Sequence, residues 1–152
     1  MNTVPKQVIA IACDHAGFNL KRVLGNHLLE QGYELLDLGT NDVNPPVDYP
    51  DFANALADAI QKGKVNRGIL VCGSGIGISI AANRSTEVRA ALVYDVHGAK
   101  LSRLHNDANV IAFGGRVIKE EVALDCLKIF LNTNFEGGRH ARRVKKLNTN
   151  NN

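Results

Sequence analysis

The stretch from Gly68 to Asn83, Gly-Ile-Leu-Val-Cys-Gly-Ser-Gly-Ile-Gly-Ile-Ser-Ile-Ala-Ala-Asn, gathers a thiol, a hydroxyl and three glycines at Cys72, Gly73, Ser74, Gly75 and Gly77. An apolar run that meets a glycine-rich turn and passes into a helical pattern is how α/β folds build anion sites. Helix-terminal amides and close backbone approach both favour negative charge there. Cys72 falls at the C-terminal edge of the expected strand, about one helical turn before the helix's positive end, where a thiolate is favoured. The pattern offers Cys72 as a proton acceptor and Ser74 as a hydroxyl. The amides of Gly73, Ser74, Gly75, Ile76 and Gly77 form a cradle for a developing oxyanion.

Two other readings of this turn meet single-residue obstacles. A dinucleotide fingerprint requires G-x-G-x-x-G, but Gly73 and Gly75 are followed by Gly77 and then Ile78, which weakens that reading without closing it. A phosphatase-type cysteine needs an arginine in the loop that follows it, and residues 73–80 contain none. No G-x-x-x-x-G-K-[ST] pattern occurs. The alternative that remains is a buried cysteine packed as a small apolar residue, the usual fate of a lone cysteine at a strand end.

The elements that must hold this turn alternate in type along the chain. Strand patterns fall at Gln7–Ala12, Tyr33–Leu38, Gly68–Val71, Val88–Val93 and Asn109–Phe113. Helical spacing falls at Phe18–Gln31, Asp51–Lys62, from near Gly75, Val96–His105 and Ile118–Leu131. Buried, non-alternating strands separated by helices predict an α/β fold with a five-stranded parallel sheet and helices on both faces. This is the three-layer, doubly wound, Rossmann-like arrangement. A basic tail helix is expected at the C-terminus. Ligands in such folds sit beyond the carboxyl ends of the strands. That expectation gathers Asp14 and His15, the Cys72 turn, His105 and Asn106, and Arg116 at one edge. Each has a plainer role open to it: Asp14 and Asn106 as helix-end residues, His105 beside the latter, Arg116 as a solvated turn charge. His97 is assigned to structure and Cys126 to the core.

At 152 residues the chain predicts one domain, with a core over about 7–132, a tail over 133–147 and disorder over 148–152. Its three cysteines, Cys13, Cys72 and Cys126, are an odd number at wide spacings with no C-x-x-C, which argues against a disulfide framework and a zinc site. With no membrane-length apolar run and no signal-like order in Met1–Lys6, a soluble cytoplasmic protein is expected. The net charge of +3 is local: Arg139, Arg142, Arg143, Lys145 and Lys146 cluster without an acidic neighbour, leaving thirteen basic against fifteen acidic residues elsewhere. No aromatic residue interleaves that cluster, so a small phosphorylated ligand fits better than a nucleic acid.

Five segments together carry a family resemblance: Cys-Asp-His-Ala-Gly-Phe at 13–18, Asp-Tyr-Pro at 48–50, the glycine turn at 68–83, Leu-Ser-Arg-Leu-His-Asn-Asp at 101–107 and Glu-Gly-Gly-Arg-His at 136–140. In this order they resemble the ribose-5-phosphate isomerase B branch of the ribose/galactose phosphate isomerase family, over about residues 7–147. The resemblance implies metal-free, cofactor-free interconversion of ribose 5-phosphate and ribulose 5-phosphate through an enediolate, a step of the non-oxidative pentose phosphate pathway. It implies Cys72 as base, since the glutamate that some relatives use falls at Ile78 here. Ser74 and the amides of Gly73 to Gly77 then hold the enediolate. His105 opens the sugar ring, and Asn106 and Asp14 contact sugar hydroxyls. Arg139 and Arg143, four apart, grip the phosphate with His15 and Arg116. It also implies a homodimer with a shared site, open to pairing into a tetramer. Two alternatives stand beside it: a hexose 6-phosphate (allose or galactose) isomerase, and a non-catalytic phosphosugar-binding module. The galactose branch generally uses two different subunits, whereas this chain carries a full set of the implied groups.

Overall fold

The computed structural model describes residues 6–148. Five strands form one parallel sheet: β1 (Val8–Cys13), β2 (Glu34–Asp37), β3 (Gly68–Cys72), β4 (Ala90–Leu92) and β5 (Val110–Gly114), in the order β2-β1-β3-β5-β4. All five residues of β3 are buried. Alternate side chains enter two separate cores: Ile69 and Val71 one, Leu70 and Cys72 the other. A strand covered on both faces must be apolar at successive positions, which is why this run shows no alternation.

The helices divide between the faces. α1 (Phe18–Glu30), α4 (Val96–Leu104) and α5 (Glu120–Asn132) cover one, with Leu20, Leu24, Ala99, Leu127 and Phe130 turned inward. α2 (Tyr49–Gln61) and α3 (Ile76–Ala82) cover the other through Ala53, Leu56, Ile78 and Ala82. Because β1 leads to a helix on one face and β3 to a helix on the other, the loops after these neighbouring strands part and leave a crevice. The expected α/β architecture is therefore the observed one. α6 (Arg139–Leu147) is the basic tail helix, anchored by buried His140 and Val144.

The boundaries differ from expectation where local pattern and pairing disagree. β4 is shorter than Val88–Val93, because as an edge strand it pairs only with β5, over Ala90–Leu92. α5 begins at Glu120 instead of Ile118, since the amides of Val117 and Ile118 both close a turn onto the Gly114 carbonyl. α2 begins two residues early, at Tyr49, with Pro50 in its first turn, where a missing N–H leaves no bond unmade. Asn148 caps α6 and its side-chain oxygen accepts from Arg89 at 2.9 Å. The remainder of the segment expected to be disordered, 149–152, and the N-terminal residues 1–5 lie outside the described residues. No helix among those described is long and apolar enough to cross a membrane.

Candidate active site

The crevice after β1 and β3 is built on backbone contact. Cys72 ends β3 and is 3% exposed, and its Sγ accepts the N–H of Gly75 at 3.1 Å. Gly75 has φ +79, and a Cβ there would lie 2.8 Å from the Phe113 carbonyl carbon and 2.9 Å from the Gly114 nitrogen. Only glycine fits both the conformation and the space. The turn after β5 locks onto the same loop: Gly115 donates to the Cys72 carbonyl at 2.7 Å and Arg116 to the Gly73 carbonyl at 3.0 Å. These bonds carry the Arg116 side chain to Gly73, where a Cβ would meet its Nη1 at 3.4 Å.

The other groups at this edge have defined hydrogen-bond roles. Ser74 Oγ accepts from the Ile76 amide at 3.1 Å, which holds the oxygen while the hydroxyl hydrogen remains available as a donor. Asp14 Oδ1 accepts from Ala16 at 3.0 Å and Gly17 at 3.1 Å, capping the 3-10 turn His15–Gly17. Asp14 thus caps the 3-10 turn that leads into α1 and not α1 itself, whose N-cap is Gly17. His15 Nδ1 accepts from Val47 at 3.1 Å, which puts the ring proton on Nε2. Tyr49, given no role in the sequence, closes one wall: a Cβ on Gly77 would meet its ring carbon Cζ at 2.5 Å. Its signal in the sequence was the Asp-Tyr-Pro segment at 48–50, which carries part of the family resemblance but gave the ring no role.

His105 and Asn106 are not at this edge, and the expected convergence of all candidates on one edge is corrected by the strand register. Cys72 pairs with Gly114 at one end of β3, while Gly68 pairs with Val110 at the other. His105 and Asn106 precede β5, on the Gly68 side. Four residue steps of about 3.3 Å separate the two ends by about 13 Å along the strand. The physical reason is that α4 starts at the carboxyl edge and runs back across the sheet, so its C-terminus is delivered to the opposite end. α6 lies there too, with Arg139 and Arg143 exposed.

At that second end His105 stacks on His140, with ring centroids 4.3 Å apart and planes 16° from parallel. Glu136 Oε2 lies 4.0 Å from His105 Nε2 and 3.8 Å from His140 Nε2. His140 is 6% exposed and its Nε2 has no hydrogen-bond partner. Burial, reinforced by neighbouring His105 and Arg139, lowers its pKa and favours the neutral ring, against the opposing pull of Glu136. Buried Arg103 fixes the platform: it donates to Thr133 O at 3.1 Å, Asp107 Oδ1 at 2.9 Å and Ala108 O at 2.6 Å. The Glu136 amide in turn donates to Leu104 O at 3.1 Å. Sequence reasoning quoted the segment that carries Glu136 and His140 without giving either a role, because their pairing with His105 is tertiary.

The remaining cysteines are not at either end's surface. Burial pushes the Cys13 thiol up to about 12 and the Cys126 thiol up to about 11, which keeps both protonated and inert. The donor atoms of His105, Glu136 and His140 lie within 4.8 Å of one another. The lone pairs of nearly parallel rings, however, run side by side and do not meet at one point, so the cluster is a stacked pair with a carboxylate and not a preformed chelate.

Comparison with known proteins agrees with this architecture. Residues 9–147 match the family model described as Ribose/Galactose Isomerase. The chain is 46% identical over 139 residues to ribose-5-phosphate isomerase B of Escherichia coli, covering 91% of this chain and 93% of that one. The structure of ribose-5-phosphate isomerase B from Clostridium thermocellum superposes with a TM-score of 0.91 at 46% identity, over 93% of this chain and 95% of that one. That of the Mycoplasma genitalium protein with bound ribulose 5-phosphate superposes with a TM-score of 0.87 at 40% identity, over 92% and 93%.

Proposed function

The chain belongs to the ribose/galactose isomerase family, and from that premise we propose that it interconverts ribose 5-phosphate and ribulose 5-phosphate, with Cys72 as the base. The observation that carries the reading is the Cys72 sulfur, held at the mouth of the glycine turn with the Gly75 amide at 3.1 Å. An amide donor stabilises negative charge on sulfur. Cys72 takes the proton from C2 of the open-chain aldose, the C–H pair becomes the C1–C2 double bond, and the carbonyl pair moves to O1. The amides of Gly73 to Gly77 and the Ser74 hydroxyl hold that oxyanion. Return of the proton to C1, with passage of the O2 proton to O1, leaves the ketone. One carbon is oxidised as its neighbour is reduced, so the step balances without an external oxidant.

The groups at the two ends of the sheet act together when two copies of the chain assemble. His105, Asn106, Arg139 and Arg143 of one copy complete the crevice of the other. Two features support this: the offset of about 13 Å within one chain, and the exposed apolar pair Ile76 and Ile80 on α3 beside the crevice. A homodimer is the minimal assembly, and two dimers pairing into a tetramer would leave the site unchanged. His105 opens the furanose, Asn106 and Asp14 contact sugar hydroxyls, and Arg139, Arg143, His15 and Arg116 hold the phosphate.

Proton NMR of ribose 5-phosphate in heavy water, with a chelator present, tests the base. Deuterium enters the sugar with the wild type and not with Cys72→Ser. Exchange that persists in Cys72→Ser removes Cys72 from this role, and parallel runs with allose and galactose 6-phosphates decide the sugar.

A further inference from the structure

The stacked histidines and their carboxylate have no role in the chemistry so far beyond His105 itself. Ring opening makes a specific demand on that residue. As the C1–O4 bond of the furanose breaks, O4 must receive a proton and the O1 hydroxyl must release one. His105 gives its proton to O4 and is reprotonated from O1, so it passes through both the charged and the neutral state. A residue that does this must be held in one orientation, and its positive charge must be tolerated.

We propose that Glu136 and His140 are positioning residues for His105, with Glu136 the counter-charge to its imidazolium and His140 the flat, neutral wall that fixes its ring plane. This rests on the isomerase reading and deepens it. The carboxylate sits 4.0 Å from the His105 nitrogen, within ion-pair reach of the ring as it carries charge during proton transfer and beyond hydrogen-bond distance. The ring of His140, stacked at 4.3 Å, leaves His105 one open face. A second cation in that stack would oppose the first. The groups facing His140 are His105, Arg139 and Arg143, which disfavour its charge, and Glu136, which favours it. Burial tips the sum towards neutrality. The segment that bears Glu136 is bonded to the end of α4 through Arg103 and Leu104, so carboxylate and ring are fixed to the same platform.

Chemistry supplies a readout that a merely structural role would not move. Ribose 5-phosphate has a free C4 hydroxyl and closes to a furanose, whereas in ribulose 5-phosphate the C5 oxygen carries the phosphate, so the ketose stays open. Conversion of ribose 5-phosphate needs ring opening, but deuterium exchange at C1 of ribulose 5-phosphate needs only the enediolate. The quantity to measure is the ratio of these two rates, in the assembled protein.

His105→Ala calibrates the scale by lowering the ratio. Glu136 is more than half exposed, so Glu136→Gln keeps the fold and should lower the ratio about fivefold, as loss of about 1 kcal/mol from a partly solvated ion pair implies. Glu136→Asp should recover part of it. His140→Ala should lower the ratio, and His140→Phe, which keeps a flat uncharged ring, should restore it towards wild type. A ratio that stays unchanged in Glu136→Gln and His140→Ala while His105→Ala lowers it overturns the proposal. So does a ratio that His105→Ala does not lower. Absence of both exchange and conversion in the wild type would instead overturn the isomerase reading.

Discussion

Replacing Gly75 by alanine asks whether the catalytic turn is held in shape by backbone contact. At φ +79 an alanine occupies the left-handed region, which costs about 1–2 kcal/mol. Its Cβ would also stand 2.5 Å from Leu92 Cδ1, 2.8 Å from the Phe113 carbonyl carbon and 2.9 Å from the Gly114 nitrogen. The leucine can move, but Phe113 and Gly114 are paired in the sheet with Val71 and Cys72 of β3 and cannot, so overpacking adds about 1–3 kcal/mol. The sum of about 2–5 kcal/mol lowers Tm by about 5–15 °C for a chain of this size. The shift should also carry the Gly75 amide away from Cys72 and depress turnover. Gly137→Ala is the control, because φ is +69 there but nothing lies within 4 Å of the added carbon. It should cost only the conformational part. Thermal unfolding by circular dichroism, at fixed protein concentration, compares the two. Equal Tm values for Gly75→Ala and Gly137→Ala, or full turnover in Gly75→Ala, would refute the argument.

Arg139→Ala should raise the Michaelis constant for ribose 5-phosphate about tenfold or more with a smaller fall in turnover, the signature of a lost charge-assisted bond to phosphate. An unchanged constant removes Arg139 from phosphate binding. The docking of His140 should make stability acid-sensitive. Its pKa is lowered in the folded chain, so the unfolded chain binds the proton more readily, and stability present above the ordinary value of 6.5 is lost as pH falls below it. The drop in Tm between about pH 7.5 and about pH 5.5 should therefore be smaller in His140→Phe than in wild type; an equal drop would show that His140 does not carry it.

Much of the fold was legible because strands buried on both faces announce themselves. The runs ending at Cys13, Cys72 and Phe113 are apolar at nearly every step, and Gly32 and Gly63 stop α1 and α2 where expected. The Cys72 turn was legible for a different reason. Its glycines are required by close backbone approach, and such requirements are written in residue type. The place of His105 was legible in principle and was misassigned: parallel strands oblige the helix after β4 to carry the chain back to the edge where β5 begins, so the end of α4 lies opposite the Cys72 edge. Tyr49 and the Glu136–His140 pair escaped for a different reason, since each acquires its neighbour only through tertiary packing. The edge strand β4 was overextended because Val88 and Val93 are buried, one in each core, while the register with β5 spans only Ala90–Leu92.

The central claim is that one reaction centre is assembled from the Cys72 end of one chain and the His105 end of another. Differently tagged Cys72→Ser and His105→Ala chains, each impaired alone, can be co-expressed and the mixed dimers assayed for ribose 5-phosphate conversion. In a mixed dimer one site carries both defects and the other carries neither. Random pairing should therefore restore about a quarter of wild-type activity across the whole mixture, and about half in purified mixed dimers. Mixed dimers no more active than their impaired parents would contradict the shared site and place both residues' work within a single chain.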